Sequence, residues 1–106
     1  MKTHFDRASF LQSIDNDEEL FREIVGTLNF EEMIEDYRHA YTAKDLKRIY
    51  AANHKIKGIS RNMFFLHLIE LCLLAERDIK NGDFPSENVL NKIFEEMIFI
   101  KKLLAN

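Results

Sequence analysis

The sequence predicts an all-α protein: an antiparallel up-down-up-down four-helix bundle with a short extra N-terminal helix. Three observations point there. Apolar residues recur at three- and four-residue spacing through most of the chain. Three glycines and one proline in 106 residues are too few for the turns of an all-β protein. The connections between the four long periodic segments are short, which favours antiparallel neighbours. A chain of this length builds one core and is too short for two, so residues 1–106 are read as a single domain. No repeat, low-complexity run or Ser/Pro linker interrupts it.

Residues 5–14 form the short first helix, with Phe5, Phe10, Leu11 and Ile14 on its apolar edge. Asp15-Asn16-Asp17 breaks it and offers N-caps, and Glu18 and Glu19 suit the first turn that follows. Leu20, Phe21, Ile24, Val25 and Leu28, then Phe30, Ile34, Tyr37 and Tyr41, predict one long helix over 17–42, kinked near Gly26. The next helix spans 44–61. At about 100° per residue, Ile49, Ala52, Ile56, Ile59 and Met63 fall opposite His54, while Lys47, Tyr50, Ala51, Lys57, Gly58, Arg61 and Phe65 share its side. Asn62 is placed to cap a helix over 63–80, whose apolar positions include Leu66, Leu68, Ile69, Leu71, Cys72, Leu73 and Ala75. Asn81-Gly82-Asp83 is a C-terminal stop, with the glycine available for a left-handed cap. Ser86 caps a last helix over 87–104, with Leu90, Ile93, Phe94, Met97, Ile98, Ile100 and Leu104 as its apolar set.

Composition excludes several classes. Net charge is −3, which argues against general nucleic-acid binding. The N-terminus carries no apolar h-region, so no secretory signal is expected. The longest mostly apolar run, Met63 to Ala75, is broken by His67 and Glu70 and falls short of the ~20 residues of a membrane span. One cysteine, Cys72, rules out an internal disulfide framework, and the expected compartment is a reducing cytoplasm. An initiating Met1 and a complete bundle favour a free-standing protein, and a monomer is expected.

Charge is unevenly spread. Residues 1–43 carry four basic and ten acidic side chains, whereas residues 44–61 carry six basic (Lys44, Lys47, Arg48, Lys55, Lys57, Arg61) and one acidic (Asp45). The positive charge surrounds His54. A lysine three residues after it and a glycine four residues after it are its neighbours on the next helical turn. A mid-helix glycine costs roughly 1 kcal/mol relative to alanine. The cost makes sense if something large must reach the imidazole, and the lysine makes sense if that something carries phosphate. A neutral imidazole is a competent nucleophile near neutral pH. Nearby cations disfavour the imidazolium and stabilise an attached phosphoryl dianion.

His54-Lys55-Ile56-Lys57-Gly58-Ile59-Ser60, continued by Met63, Leu68, Leu71, Cys72 and Glu76, resembles the histidine-containing phosphotransfer (HPt) domain family. The family pattern runs roughly His-x-Leu-Lys-Gly-x-Ser/Ala, followed by Leu-x-x-Leu-Cys-x-x-Leu-Glu, and the likeness covers nearly the whole chain. Departures are Phe64 where the family often has glycine, Phe65 where it has a small residue, and Ala75 where leucine is usual. The resemblance implies a phosphorelay intermediate of two-component signal transduction. His54 would accept a phosphoryl group from a phospho-aspartyl receiver domain and pass it to another. Lys57 would stabilise the phosphate, and Gly58 would give the receiver clearance. Tyr50, Lys55, Arg61 and Phe65 are the expected docking residues, while Ser60 is expected to pack inward. The chain has no Walker or kinase glycine loop and no acidic cluster beside His54. It is therefore expected to be a phosphocarrier and not an ATP-using enzyme. It would need no cofactor of its own, and Mg²⁺ would sit on the partner receiver. Partners would be receiver domains or a hybrid sensor kinase, with neither nucleic acid nor membrane involved.

Other chemistry is weakly signalled. His4, His39, His54 and His67 form no i+3 or i+4 pair, and Cys72 lies five residues from His67, a poor ligand spacing. Leu71 and Leu73 beside Cys72 indicate a buried, inert thiol. Glu31-Glu32 and Glu95-Glu96 read as solvated helix faces. The competing readings are an HPt-like adaptor or inhibitor that binds without carrying phosphate, and a plain bundle that oligomerises through exposed aromatics. An idle site has no reason to keep Gly58.

Overall fold

A computed structural model of the chain describes residues 3–105; Met1, read above as an initiator, lies outside them with Lys2 and Asn106. The described residues fold into six helices with no strand: α1 (Arg7–Ser13), α2 (Glu18–Gly26), α3 (Phe30–Thr42), α4 (Leu46–Met63), α5 (Leu66–Lys80) and α6 (Glu87–Leu104). The principal packing is between consecutive members of α3, α4, α5 and α6, with α3 also against α6.

Local chemistry explains most boundaries. Asp6, Asp17, Asn29, Asp45 and Ser86 each accept a hydrogen bond from the backbone N–H three residues on, satisfying a donor that the first helical turn leaves orphaned. The sequence reading of one helix over 17–42 is corrected here. The chain leaves helix at Thr27–Asn29, and Asn29 opens α3 by capping Glu32 N at 3.0 Å. Residue preference wins locally, because Gly26 and Asn29 are both poor in a helix interior and asparagine is a strong cap. The reading of Asn62 as a cap is also corrected. α4 runs on to Met63, and Asn62 is an exposed residue of its last turn. α4 stops at Phe64, whose φ of 62° is left-handed, the backbone that glycine adopts without steric cost. One of the departures from the HPt pattern thus falls where the backbone itself favours glycine.

α5 has no side-chain cap. The N-terminal arm serves its first turn instead: His67 N donates to the Thr3 carbonyl at 2.9 Å, and Asp6 N donates to the Phe64 carbonyl at 3.0 Å. Next to this strap lies an aromatic cluster. Phe5 stacks on Phe21 and meets Phe65 edge-on at 5.4 Å between ring centroids, and Phe65 also meets Phe30 at 6.2 Å. Phe65 is fully buried between Phe5 of the N-terminal arm and Phe30 of α3.

Candidate functional site

α4 carries the site. Its buried residues are Ile49, Asn53, Ile56, Lys57, Ser60 and Met63, while Ala52 and Ile59 are only partly covered. The core face is therefore rotated from the one apolar periodicity gives, toward Asn53, Lys57 and Ser60. Polar groups accept burial there because each finds a partner. Ser60 Oγ donates to the Ile56 carbonyl at 2.7 Å, so it is the inward residue expected of it. Tyr37 on α3 donates its hydroxyl proton to Asn53 Oδ1 at 3.0 Å, and Asn53 Nδ2 donates to the Cys72 carbonyl on α5 at 3.0 Å. The Tyr37–Asn53–Cys72 chain ties α3, α4 and α5 together directly beneath the His54 turn. Burial raises the Tyr37 hydroxyl pKa above its ordinary range and pushes the Cys72 thiol up to about 12.

His54 is exposed on the outer side of α4. Tyr50, one turn earlier and 39% exposed, lies against it with rings nearly parallel at 16° and centroids 5.7 Å apart. The two exposed rings thus lie side by side on the outer surface of α4. One turn later, a Cβ built on Gly58 would meet nothing within 4 Å. No neighbour in the fold requires a glycine there; the missing side chain leaves room on the surface beside His54. Lys55 and Arg61 are exposed on the same helix.

Two expected site residues are placed differently from the helical projection. Phe65, expected on the docking face, is in the core, because the left-handed turn at Phe64 swings the chain inward before α5 begins. Lys57, expected to face solvent beside His54, is 8% exposed. Its Nζ lies 2.7 Å from Glu76 Oε1 on α5. Burial of an ammonium group is tolerable only with such a counter-charge. The hydrogen bond from Lys57 holds the Glu76 carboxyl below the usual carboxylate range against the opposing effect of burial, with smaller contributions from Lys80 and His54. Lys80 Nζ stands 3.8 Å from the same carboxylate oxygen.

Glu76 and Lys80 were not singled out as site residues by sequence reasoning. A signal existed for Glu76: it lies four residues after Cys72 on the stripe Leu68, Leu71, Cys72, Ala75, Ile79, where a charge implies a buried partner. No comparable signal marks Lys80. Among the described residues no group of three or more His, Cys, Asp or Glu side chains could hold a metal ion, and no helix is long and apolar enough to cross a membrane.

The arrangement offers one solvent-facing imidazole, an aromatic ring on one of its faces, open surface on the next turn and a lysine–glutamate pair at its base. It can present a nucleophilic nitrogen to another macromolecule. No family model, no curated protein and no solved structure matches this chain.

Proposed function

We propose that this chain is a phosphorelay carrier, with His54 as the residue that takes a phosphoryl group from an aspartyl phosphate and yields it to another carboxylate. The observation that carries the reading is the pairing of exposed His54 with unfilled space at Gly58 one turn away. A helix interior that forgoes a side chain without any internal steric need is explained by the approach of an outside body. Phosphoryl transfer asks mainly for positioning and neutralisation of charge. Tyr50, stacked beside the imidazole, would contribute to the first. Lys55 and Arg61 bring positive potential to the approach side, and Lys57, paired with Glu76 at rest, would add to the second only on leaving that carboxylate. The donor would bring the magnesium site, so the chain needs nothing more than a held nucleophile.

The reading includes an up-down-up-down course for α3 to α6. The connections Ala43–Asp45, Phe64–Phe65 and Asn81–Ser86 are too short to carry the chain back along a helix of this length, which favours antiparallel neighbours. It also includes a cytoplasmic setting, where receivers reside and a buried Cys72 thiol stays reduced. Docking would use Tyr50, Lys55, Arg61 and the surface at Gly58. Phe65 has no part in it, since it is buried.

The test is incubation with phosphorylated receiver domains of the same genome, wild type beside His54→Gln. Acid-labile, base-stable label on the wild type alone supports the carrier. The engagement of Lys57 by Glu76 favours a second reading, an adaptor that binds receivers without accepting phosphate. Binding without label from every receiver would put that reading first.

A further inference from the structure

Lys57 lies on the turn after His54, yet its ammonium group is spent on Glu76, and both side chains are about nine-tenths buried (10% and 9% exposed). The same carboxylate oxygen has a second cation nearby, Lys80 Nζ at 3.8 Å, whose side chain is 65% exposed. One carboxylate thus faces a close, buried lysine from α4 and a looser, solvated lysine from its own helix. The bond to Lys57, three residues after His54 on α4, brings the Glu76 carboxylate to the turn that follows the imidazole. A phosphoryl dianion on His54 would repel Glu76 and attract Lys57, while Lys80 needs only a small side-chain motion to complete its contact.

We infer that Glu76 is a positioning residue that holds Lys57 in reserve and releases it to the phosphoryl group when His54 is phosphorylated, with Lys80 taking over the Glu76 carboxylate. The inference rests on the carrier reading. In the step concerned, the His54 nitrogen lone pair forms the N–P bond and the P–O bond of the donor's aspartyl phosphate breaks. The electron pair leaves on the aspartate carboxylate, and the ring keeps the proton on its other nitrogen. The phosphorylated site then holds a phosphoryl dianion and the Glu76 carboxylate against the imidazolium, Lys57 and Lys80, so its charges balance. Competition from Glu76 keeps Lys57 from over-stabilising the phosphohistidine, which leaves the group transferable in either direction.

The test uses the whole chain, lysine labelled with ¹⁵N and glutamate with ¹³C, loaded with phosphoramidate or a phosphorylated receiver at neutral pH. The wild type is expected to show a scalar coupling between Lys57 Nζ and the Glu76 carboxyl carbon before loading and to lose it afterwards, with a reciprocal shift of the Lys80 Nζ resonance. Phosphohistidine lifetime should lengthen by at least about threefold in Glu76→Gln, because a buried pair couples more strongly than an exposed one, and shorten in Lys80→Ala. Glutamine keeps a hydrogen bond to Lys57 but removes its counter-charge, so Glu76→Gln should lose stability. Circular dichroism confirms that it is folded at the assay temperature, and Lys80→Ala, which removes only a solvated cation, tests the exchange if it is not. In a Lys57→Met background the effect of Glu76→Gln should vanish. A Lys57–Glu76 coupling that survives phosphorylation, or a Glu76→Gln effect that persists without Lys57, overturns this inference while leaving the carrier intact. Failure of wild-type His54 to take a phosphoryl group from any of these donors overturns the carrier reading and this inference with it.

Discussion

Gly58→Ala separates a glycine kept for a partner from one kept for the fold. Gly58 is interior to α4, its φ is not left-handed, and an added Cβ would meet nothing within 4 Å. Alanine there should therefore cost no contact and should gain the propensity difference, about 0.5–1 kcal/mol, largely by restricting the unfolded chain. For a domain of this size, 1 kcal/mol corresponds to a rise in Tm of about 4–8 °C. Thermal melts followed by circular dichroism should show that increase. Phosphotransfer from a receiver should fall at the same time, because the methyl group occupies the surface on which the receiver would close, and Gly58→Glu should abolish it. A lower Tm would refute the reasoning by placing the glycine in the service of the protein's own packing. A raised Tm with unchanged transfer would refute its assignment to the partner. Gly82 is the internal contrast. Its φ of +79° is left-handed, so Gly82→Ala should lower stability by about 1 kcal/mol although the space around it is equally open.

Three further outcomes follow from the buried polar groups. Asn53→Ala removes the partner of the Tyr37 hydroxyl and the bond to the Cys72 carbonyl, and urea unfolding should show a loss of about 2–4 kcal/mol, with Tyr37→Phe milder; equal stability would remove the network from the core. Burial pushes the Cys72 thiol up to about 12, so at pH 8 iodoacetamide should label the native protein only as fast as it opens, and prompt labelling would contradict that burial. The Glu76 carboxyl is held below its ordinary value of 4.5 by Lys57, so its contribution is complete above that value and is lost as pH falls through the depressed folded value. Glu76→Gln should accordingly flatten the acid limb of the stability–pH curve below about 4.5 and leave its shape near pH 7 unchanged; an acid limb as steep as that of the wild type would refute the assignment.

The helical class, the basic character of α4 and the exposed setting of His54 were legible in the sequence, because each depends on order along one chain. Periodicity at three and four residues specifies a helix and one apolar stripe, and Ser86 with Gly82 marks the final boundaries to the residue. Caps decide where helices begin, and Asn29 shows that a local side-chain bond divides what apolar spacing alone would join. Hidden from the sequence was how far α4 turns about its own axis within the bundle. That rotation answers to Tyr37, Cys72 and Glu76 on other helices, 16 to 19 residues distant in the chain. Asn53, Lys57 and Ser60 go inward because partners wait for them there, and Ala52 and Ile59 give up part of their cover in exchange. Phe65 turns inward for a like reason: the left-handed step at Phe64 delivers it between Phe5 of the N-terminal arm and Phe30 of α3, a setting that only the folded chain assembles. Spacing along a helix tells which residues share a face; which face is buried, and which lysine is already paired, is decided by the groups that meet it from elsewhere.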